Sequence, residues 1–97
     1  MAHYVVLINF TEQGVKTIKD VSKRQAAARQ AFEKAGGKLD QVYLTMGSYD
    51  AVAIVEAPND EAAAAVLLSL GGLGNVRTTT LRAFTEAETV KLVGNIR

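Results

Sequence analysis

The residues best suited to chemistry stand in the middle of the chain, where Gly47-Ser48-Tyr49-Asp50 separates two apolar runs. A phenol beside a carboxylate can handle a proton: the Tyr49 hydroxyl would donate or remove it while the Asp50 carboxylate orients the phenol. The same residues also suit a tight turn, because glycine tolerates positive φ and a turn aspartate accepts hydrogen bonds from nearby backbone amides. The residues alone leave both interpretations open. Tyr49 and Asp50 are therefore candidate catalytic residues, and enzymatic activity is undecided.

Other side chains that carry chemistry are few. The chain has no cysteine, which excludes disulfides, thiolate catalysis and zinc–thiolate sites. His3 is the only histidine, and no carboxylate stands near it at metal-ligand spacing, so we expect a structural or solvated His3 and no metal site. A Ser-His-Asp arrangement is not expected, because Ser48 lacks the Gly-x-Ser-x-Gly turn that presents a nucleophile.

The glycines in the segment LGGLGN, residues 70–75, are the other motif that could bind a ligand. A dinucleotide-binding loop follows a strand and opens a helix. Here an apolar helical run comes first and a β-rich run follows. We therefore expect these glycines to end a helix.

Charge is nearly balanced along the chain. There are 11 basic and 10 acidic residues, for a net charge of +1, which argues against a partner held through phosphates, so we expect no nucleic acid. A basic group on and before the first long helix is interspersed with acids and is typical of a solvated helix face, with an anion-binding or nucleic-acid-binding surface as the alternative. It comprises Lys16, Lys19, Lys23, Arg24 and Arg29.

Hydropathy favours a cytoplasmic protein. No apolar run approaches the ~20 residues of a membrane span, so we expect no membrane partner. The first ten residues, MAHYVVLINF, make a poor signal peptide because they lack a basic leader and a clear cleavage site.

Four runs have strand character. His3–Phe10 is almost wholly apolar, which is typical of a strand covered on both faces. Lys38–Met46 alternates between apolar and polar positions, which predicts a strand with one face buried. Ala51–Ala57 and Asn75–Phe84 are rich in β-branched residues and complete the set.

Capping signals predict the helices. Ser22–Gln25 fits a capping box at the start of a first long helix, and Gly36 follows as its stop. Asn59 is placed to cap a second, apolar helix. Thr85–Glu88 is another capping box and predicts a short C-terminal helix. The segment 11–20 between the first strand and the first long helix predicts a connection or an irregular helical turn.

The resulting order, β-α-β-β-α-β followed by a short helix, predicts an α+β, ferredoxin-like plait. It has a four-stranded antiparallel sheet with two main helices on one face. We expect residues 1–97 to form one domain. The other face of the sheet stays open, and apolar residues there predict an interface. We therefore expect a homodimer or a larger homo-oligomer that packs sheet against sheet.

Two sheets packed in this way would enclose a small cavity. Tyr43, Thr45 and part of the Thr78–Thr80 run would line it, and this semi-polar lining suits a small-molecule ligand better than a dry core. Together with Tyr49, which stands in the adjoining turn, Tyr43 and Thr45 are the candidate ligand-binding residues.

The segment TMGSYDAVAIVEAP resembles the GYD domain family of small bacterial and archaeal proteins, through Gly47, Tyr49 and Asp50. The segment NVRTTTLRAFT is similar too, and the resemblance runs from HYVVLINFTEQG to LRAFTEAE. A basic residue is expected in many members at the position of Ser48, so a ligand contact that depends on that charge would be absent here. The resemblance implies a ferredoxin-like fold, similar to the dimeric α/β-barrel proteins, and no settled activity.

Proteins of that dimeric architecture include cofactor-free monooxygenases, degradative isomerases and haem enzymes, which is a likeness of fold only. His3 is the only histidine that could bind haem, and its place at a strand start argues against this, so no cofactor is expected. The leading interpretation is an oligomeric binding or assembly module with a small-ligand cavity at the sheet; a regulatory domain whose sheet mediates protein partnership is close to it. The alternative is a cofactor-independent enzyme for a small organic compound, with Tyr49 and Asp50 handling a proton.

Overall fold

The computed structural model describes residues 1–97. The strands are β1 (Ala2–Phe10), β2 (Lys38–Leu44), β3 (Ala51–Ala57) and β4 (Val76–Ala83). They form one antiparallel sheet in the order β2-β3-β1-β4. The helices are α1 (Glu12–Lys16), α2 (Val21–Lys34), α3 (Asp60–Gly72) and α4 (Glu86–Gly94), with a 3₁₀ turn at Ile18–Asp20. The predicted ferredoxin-like plait is confirmed, and none of its helices is both long and apolar enough to cross a membrane.

The core lies between one face of the sheet and the helices α2 and α3. Val6 of β1 pairs with Ala53 of β3, so both side chains point to the helix side. Phe32 of α2 and Val66 of α3 pack against them, and Phe32 is only 1% exposed. Ala28, Ala31 and Ala35 of α2 also pack against this core, so one apolar side of α2 covers the sheet.

The long helix α2 begins one residue before the predicted capping box. Its N-cap is Asp20, which makes no side-chain capping hydrogen bond, and the helix starts at Val21. The capping role predicted for Ser22 is therefore wrong. The physical reason is that the 3₁₀ turn runs directly into α2, so the backbone is already helical before Ser22 is reached.

The other two helix starts are as predicted. The Asn59 side chain accepts a hydrogen bond from the Ala62 amide at 2.8 Å and caps α3. At α4 the Thr85 hydroxyl accepts from the Glu88 amide at 3.1 Å, and the Glu88 carboxylate accepts from the Thr85 amide at 2.8 Å. The two residues thus satisfy each other's backbone donors, which fixes where α4 begins.

The short helix α1 sits against the start of β4 through a glycine. A Cβ at Gly14 would lie 2.1 Å from the carbonyl oxygen of Asn75, so only glycine fits there. The same carbonyl accepts a hydrogen bond from the Thr11 amide at 3.0 Å. Gly14 therefore allows the connection after β1 to pack directly against the backbone of Asn75, just before β4.

Strand β2 carries an irregularity that alternation alone did not reveal. A bulge between Leu39 and Gln41 changes the side-chain parity, so both Leu39 and Val42 pair with residues that face the helices. Tyr43 pairs with Val52 and faces the opposite side, as predicted. The strand ends at Leu44, two residues before the predicted end at Met46.

Candidate functional site

The Gly47–Asp50 segment forms the connection between β2 and β3, as its turn composition predicted. The Thr45 amide donates to the Asp50 carbonyl at 2.9 Å, and the Thr45 hydroxyl donates to the Tyr49 carbonyl at 2.6 Å. Gly47 has a φ of 121°, a conformation that favours glycine. The Thr45 hydroxyl therefore stabilises the turn by donating a hydrogen bond to the turn's backbone at Tyr49.

Asp50 ties this turn to the central strand β1. Its carboxylate Oδ2 accepts the Phe10 amide at 2.8 Å, and its own amide donates to the Ile8 carbonyl at 2.8 Å. The sequence led us to expect donors within the turn, but the donor to the carboxylate is an amide 40 residues away in the chain. Asp50 thus continues the β1–β3 hydrogen bonding beyond the last paired residues, Ile8 and Ala51.

The Tyr49 side chain is half-buried in the turn, and no hydrogen bond joins its hydroxyl to Asp50. A phenol and a carboxylate that handle one proton need hydrogen-bond contact, directly or through one water. The catalytic roles of Tyr49 and Asp50 and the ligand-binding roles of Tyr43, Thr45 and Tyr49 remain predictions.

The face of the sheet opposite the helices carries no covering element. We call it the open face, and its central residues are Val5, Leu7, Gln41, Tyr43, Val52, Ile54, Thr79 and Leu81. Tyr43 is 57% exposed and Leu81 is 48% exposed, whereas the residues between them are half-buried by their neighbours. A mainly aliphatic surface therefore extends across the sheet, with Tyr43 and Gln41 on β2 and Thr79 on β4 as its polar members.

The threonine run of β4 contributes only one residue to the open face. Thr79 pairs with Leu7 on that side, while Thr78 and Thr80 pair with Ile8 and Val6 on the helix side. Because side chains alternate along a strand, the run could not line one face as a whole. A cavity between two sheets requires a second subunit, so the predicted cavity stays a prediction.

A polar cluster borders one end of the open face. His3 Nε2 lies 3.4 Å from Glu56 Oε1, and His3 Nδ1 lies 3.8 Å from Glu88 Oε1. His3 Nδ1 is buried and has no hydrogen-bond partner. The Thr85 amide, which donates to the carboxylate, lowers the pKa of Glu88 below its usual value, and the nearby His3 acts in the same direction. Because Glu88 belongs to α4, this cluster connects the C-terminal helix to the open face.

Beyond that contact, α4 projects from the end of β4. No other element packs extensively on it, and the molecule is elongated, with extents of 51 × 31 × 18 Å. Its apolar residues are largely exposed, including Val90 at 72% and Ile96, just after the helix, at 75%. An amphipathic helix usually buries such residues, so α4 adds unpartnered apolar surface.

Sequence reasoning missed a cluster on the helix side, where α3 begins. The Tyr4 hydroxyl donates to Asp60 Oδ1 at 2.5 Å, and Arg82 Nε lies 3.9 Å from the same oxygen. The Arg82 guanidinium also lies over the ring of Tyr4, 5.6 Å from its centroid. The apolar run His3–Phe10 predicted a strand that contains Tyr4, but no local signal pairs residues 56 positions apart.

The pKa of the Tyr4 phenol is raised to about 12, chiefly by burial and to a smaller extent by the hydrogen bond to Asp60. A phenol that holds its proton this tightly does not act as a base near neutral pH. The cluster therefore fastens the start of α3 to β1 and β4.

Comparisons with known proteins show what this chain is similar to. The family model described as GYD domain matches residues 4–93. A Thermus thermophilus protein named glutamine synthetase and cystathionine beta-lyase binding protein is 31% identical over 91 residues, which are 93% of this chain and 96% of that protein.

Two solved structures are similar to the fold. The crystal structure of TTHA0845 from Thermus thermophilus has a TM-score of 0.56 and 29% identity, covering 88% of this chain and 95% of that one. The crystal structure of MtbAldR has a TM-score of 0.68 at 15% identity, covering 88% of this chain and 52% of that one. This chain thus spans about half of the MtbAldR chain, and the likeness concerns the fold alone.

Proposed function

Because the chain belongs to the GYD domain family, we propose that it is a protein-binding module that docks through the open face and α4. The observation that carries the proposal is the apolar surface across four strands, which no helix of the chain covers. Exposed apolar patches of this kind typically mark interfaces, since leaving them in water is unfavourable.

The composition of the open face suits a protein partner. Aliphatic residues predominate at its centre, beside Gln41 and Thr79, and charged or ionisable residues stand at its ends, with His3 and Glu56 at one end and Arg77 at the other. Interfaces commonly have an apolar centre and a polar rim, and tyrosine is enriched among the residues that contribute most to binding. Tyr43 is the exposed aromatic residue on this face.

The C-terminal helix extends the proposed surface. Glu88 lies beside His3 on the open-face side, so α4 starts at the edge of that surface. Val90 and Val93 follow one turn apart and are 72% and 57% exposed. A partner that covered the sheet and this turn together would bury both apolar groups.

The class of partner is supported by the relative that is named as a binding protein for two enzymes. Its 31% identity extends over 93% of this chain, so the similarity includes every strand of the open face. We therefore propose that folded enzymes are the partners, with the cell's own glutamine synthetase and cystathionine beta-lyase as the first to test.

Self-association through the same face is a second part of the proposal. A 97-residue domain buries a limited fraction of its surface, and a second sheet packed on the open face would add apolar burial. Two copies would then protect the patch when no enzyme is bound. Size-exclusion chromatography with light scattering measures this. At about 100 µM protein, a dimer with a micromolar dissociation constant is populated, so we expect a dimer or a larger species. A monomer there would overturn self-association without affecting the enzyme-binding part.

Binding to the two purified enzymes tests the main proposal. Leu81→Glu places a charge on the open face and is expected to weaken binding by at least about tenfold, because burying an unpaired charge is costly. Leu68→Glu is the matched control: Leu68 is 77% exposed on α3, on the other side of the sheet. Binding that is absent for wild type, or that both variants weaken equally, would overturn the open face as the docking surface.

A further inference from the structure

An apolar cavity of about 260 Å³ lies between the helix side of the sheet and the helices α2 and α3. Small residues leave this space: Ala28 of α2 and Ala51 and Ala53 of β3 line it, and none is long enough to cross the gap. Phe32 and Leu70 form part of its walls. An engineered apolar cavity of about 150 Å³ holds benzene, so this one has room for an organic molecule of about eight carbons.

The charged residues that line this cavity are both cations. Lys23 and Arg24 come from the first turn of α2, and no carboxylate lines the cavity. The Arg24 guanidinium lies over the ring of Phe10, 5.9 Å from its centroid, and Phe10 is itself a lining residue. The cavity thus combines apolar walls with positive charge at one place.

Some N–H donors of the Arg24 guanidinium have no acceptor in the protein. Nη1 donates to the Thr17 carbonyl at 3.2 Å and to the Thr17 hydroxyl at 2.8 Å, and Nη2 donates to the Gly14 carbonyl at 3.1 Å. All three acceptors are neutral, and these bonds occupy at most three of the five N–H groups of a guanidinium. At least two donors on a half-buried, well-anchored cation therefore have no protein partner. A carboxylate is an acceptor whose geometry such a fork matches, and its hydrogen bonds to a guanidinium are charge-assisted.

We propose that this interlayer cavity binds a small monocarboxylate with an aliphatic or aromatic body. The body fills the space between the sheet and the helices, and the carboxylate accepts hydrogen bonds from the unpaired donors of Arg24. The site lies on the opposite side of the sheet from the open face. Its tests are therefore independent of the tests of the protein-binding proposal.

NMR titration of the full chain with octanoate and with 1-octanol tests the site, because the two probes differ in the charged head. Octanoate is expected to shift the amides around Ala28 and Ala53 and to bind at least about tenfold more tightly than octanol, as a charge-assisted hydrogen bond requires. Arg24→Gln is expected to weaken octanoate by about the same factor and to leave octanol unchanged. Arg29→Gln, an exposed position on the same helix, is the matched control and is expected to change neither.

Filling the cavity gives the second test. Ala28→Leu adds side-chain volume to the lining and is expected to abolish binding of both probes; if this variant fails to fold, Ala28→Val serves with a smaller expected loss. Binding that survives the filled cavity would overturn the site, as would the absence of any shift with octanoate. Equal affinity for octanoate and octanol, or an equal effect of Arg29→Gln, would overturn the role of Arg24.

Discussion

The Asp50 carboxylate accepts the Phe10 amide at 2.8 Å, which joins the β2–β3 turn to the end of the central strand β1. Gly47, in the same turn, has a φ of 121° that glycine adopts without strain. Two of the three residues on which the family resemblance rested thus have a structural reason to be present. The roles that the structure gives to Gly47 and Asp50 are therefore roles in the fold.

Asp50→Ala is expected to lower the free energy of unfolding by about 1–3 kcal/mol, because it leaves the Phe10 amide without its acceptor. Asp50→Asn keeps an acceptor oxygen and should lose less. Urea unfolding of the three proteins measures both changes. If Asp50→Ala unfolds like wild type and alters ligand binding instead, Asp50 belongs to a binding or catalytic site.

Gly14→Ala is expected to destabilise the fold by about 1–3 kcal/mol, the usual cost of forcing extra atoms into a packed site. The added Cβ would lie 2.1 Å from the Asn75 carbonyl oxygen, so α1 and the start of β4 must separate. Gly71→Ala in α3 is the control, because a Cβ there meets nothing within 4 Å and alanine favours a helix by ~1 kcal/mol. Equal melting temperatures for the two variants would contradict the close approach at Gly14.

Tyr4 should make stability depend on alkaline pH. Its pKa is raised from 10.0 to about 12 in the folded protein, so between these values the unfolded chain has lost the phenol proton that the folded chain keeps. The unfolded state then binds fewer protons, and stability falls as pH rises.

Tyr4→Phe removes both the titration and the hydrogen bond to Asp60. The excess stability of wild type over this variant is expected to be full below pH 10 and to shrink towards pH 12. Denaturant titrations across that range measure it. An excess that stays constant with pH would contradict the burial and hydrogen bonding of the phenol.

Thr85→Ala should loosen α4 alone. Loss of an N-cap costs about 0.5–2 kcal/mol of helix stability, and α4 packs little on the other elements. Hydrogen exchange is therefore expected to speed up across Glu88–Val93 while the global unfolding midpoint stays near that of wild type. Thr89→Ala, inside the same helix, is the control and should not accelerate exchange. A matching fall in the global midpoint would mean that α4 belongs to the cooperative core.

The order of strands and helices could be predicted because each is signalled locally. The apolar run of β1, the alternation in β2 and the capping box at Thr85–Glu88 are properties of a few adjacent residues, and the turn at Gly47–Asp50 is equally local. The start of α2 was misplaced at Ser22 because a 3₁₀ turn leads into the helix without a capping side chain. Propensity alone does not distinguish that entry from a capped one.

The side-chain contacts were less predictable than the order of elements, because they join segments that are distant in the sequence. The bond from Tyr4 to Asp60 joins residues 56 positions apart, and the carbonyl of Asn75 explains Gly14 only once α1 and β4 are placed together. The threonine run showed the limit of composition, since only Thr79 faces the open side. The open face itself was predictable, because the apolar run in β1 required a partner for both of its faces.

Methyl NMR of the labelled chain, with glutamine synthetase from the same cell added, shows which face of the sheet binds the enzyme, because each methyl group lies on one face. The methyl signals of Val5, Ile54 and Leu81 are expected to broaden or shift, while those of Leu68 on α3 stay unchanged. If Leu68 responds and the open-face methyls do not, or if no methyl responds at all, the open face is not the surface that binds this enzyme.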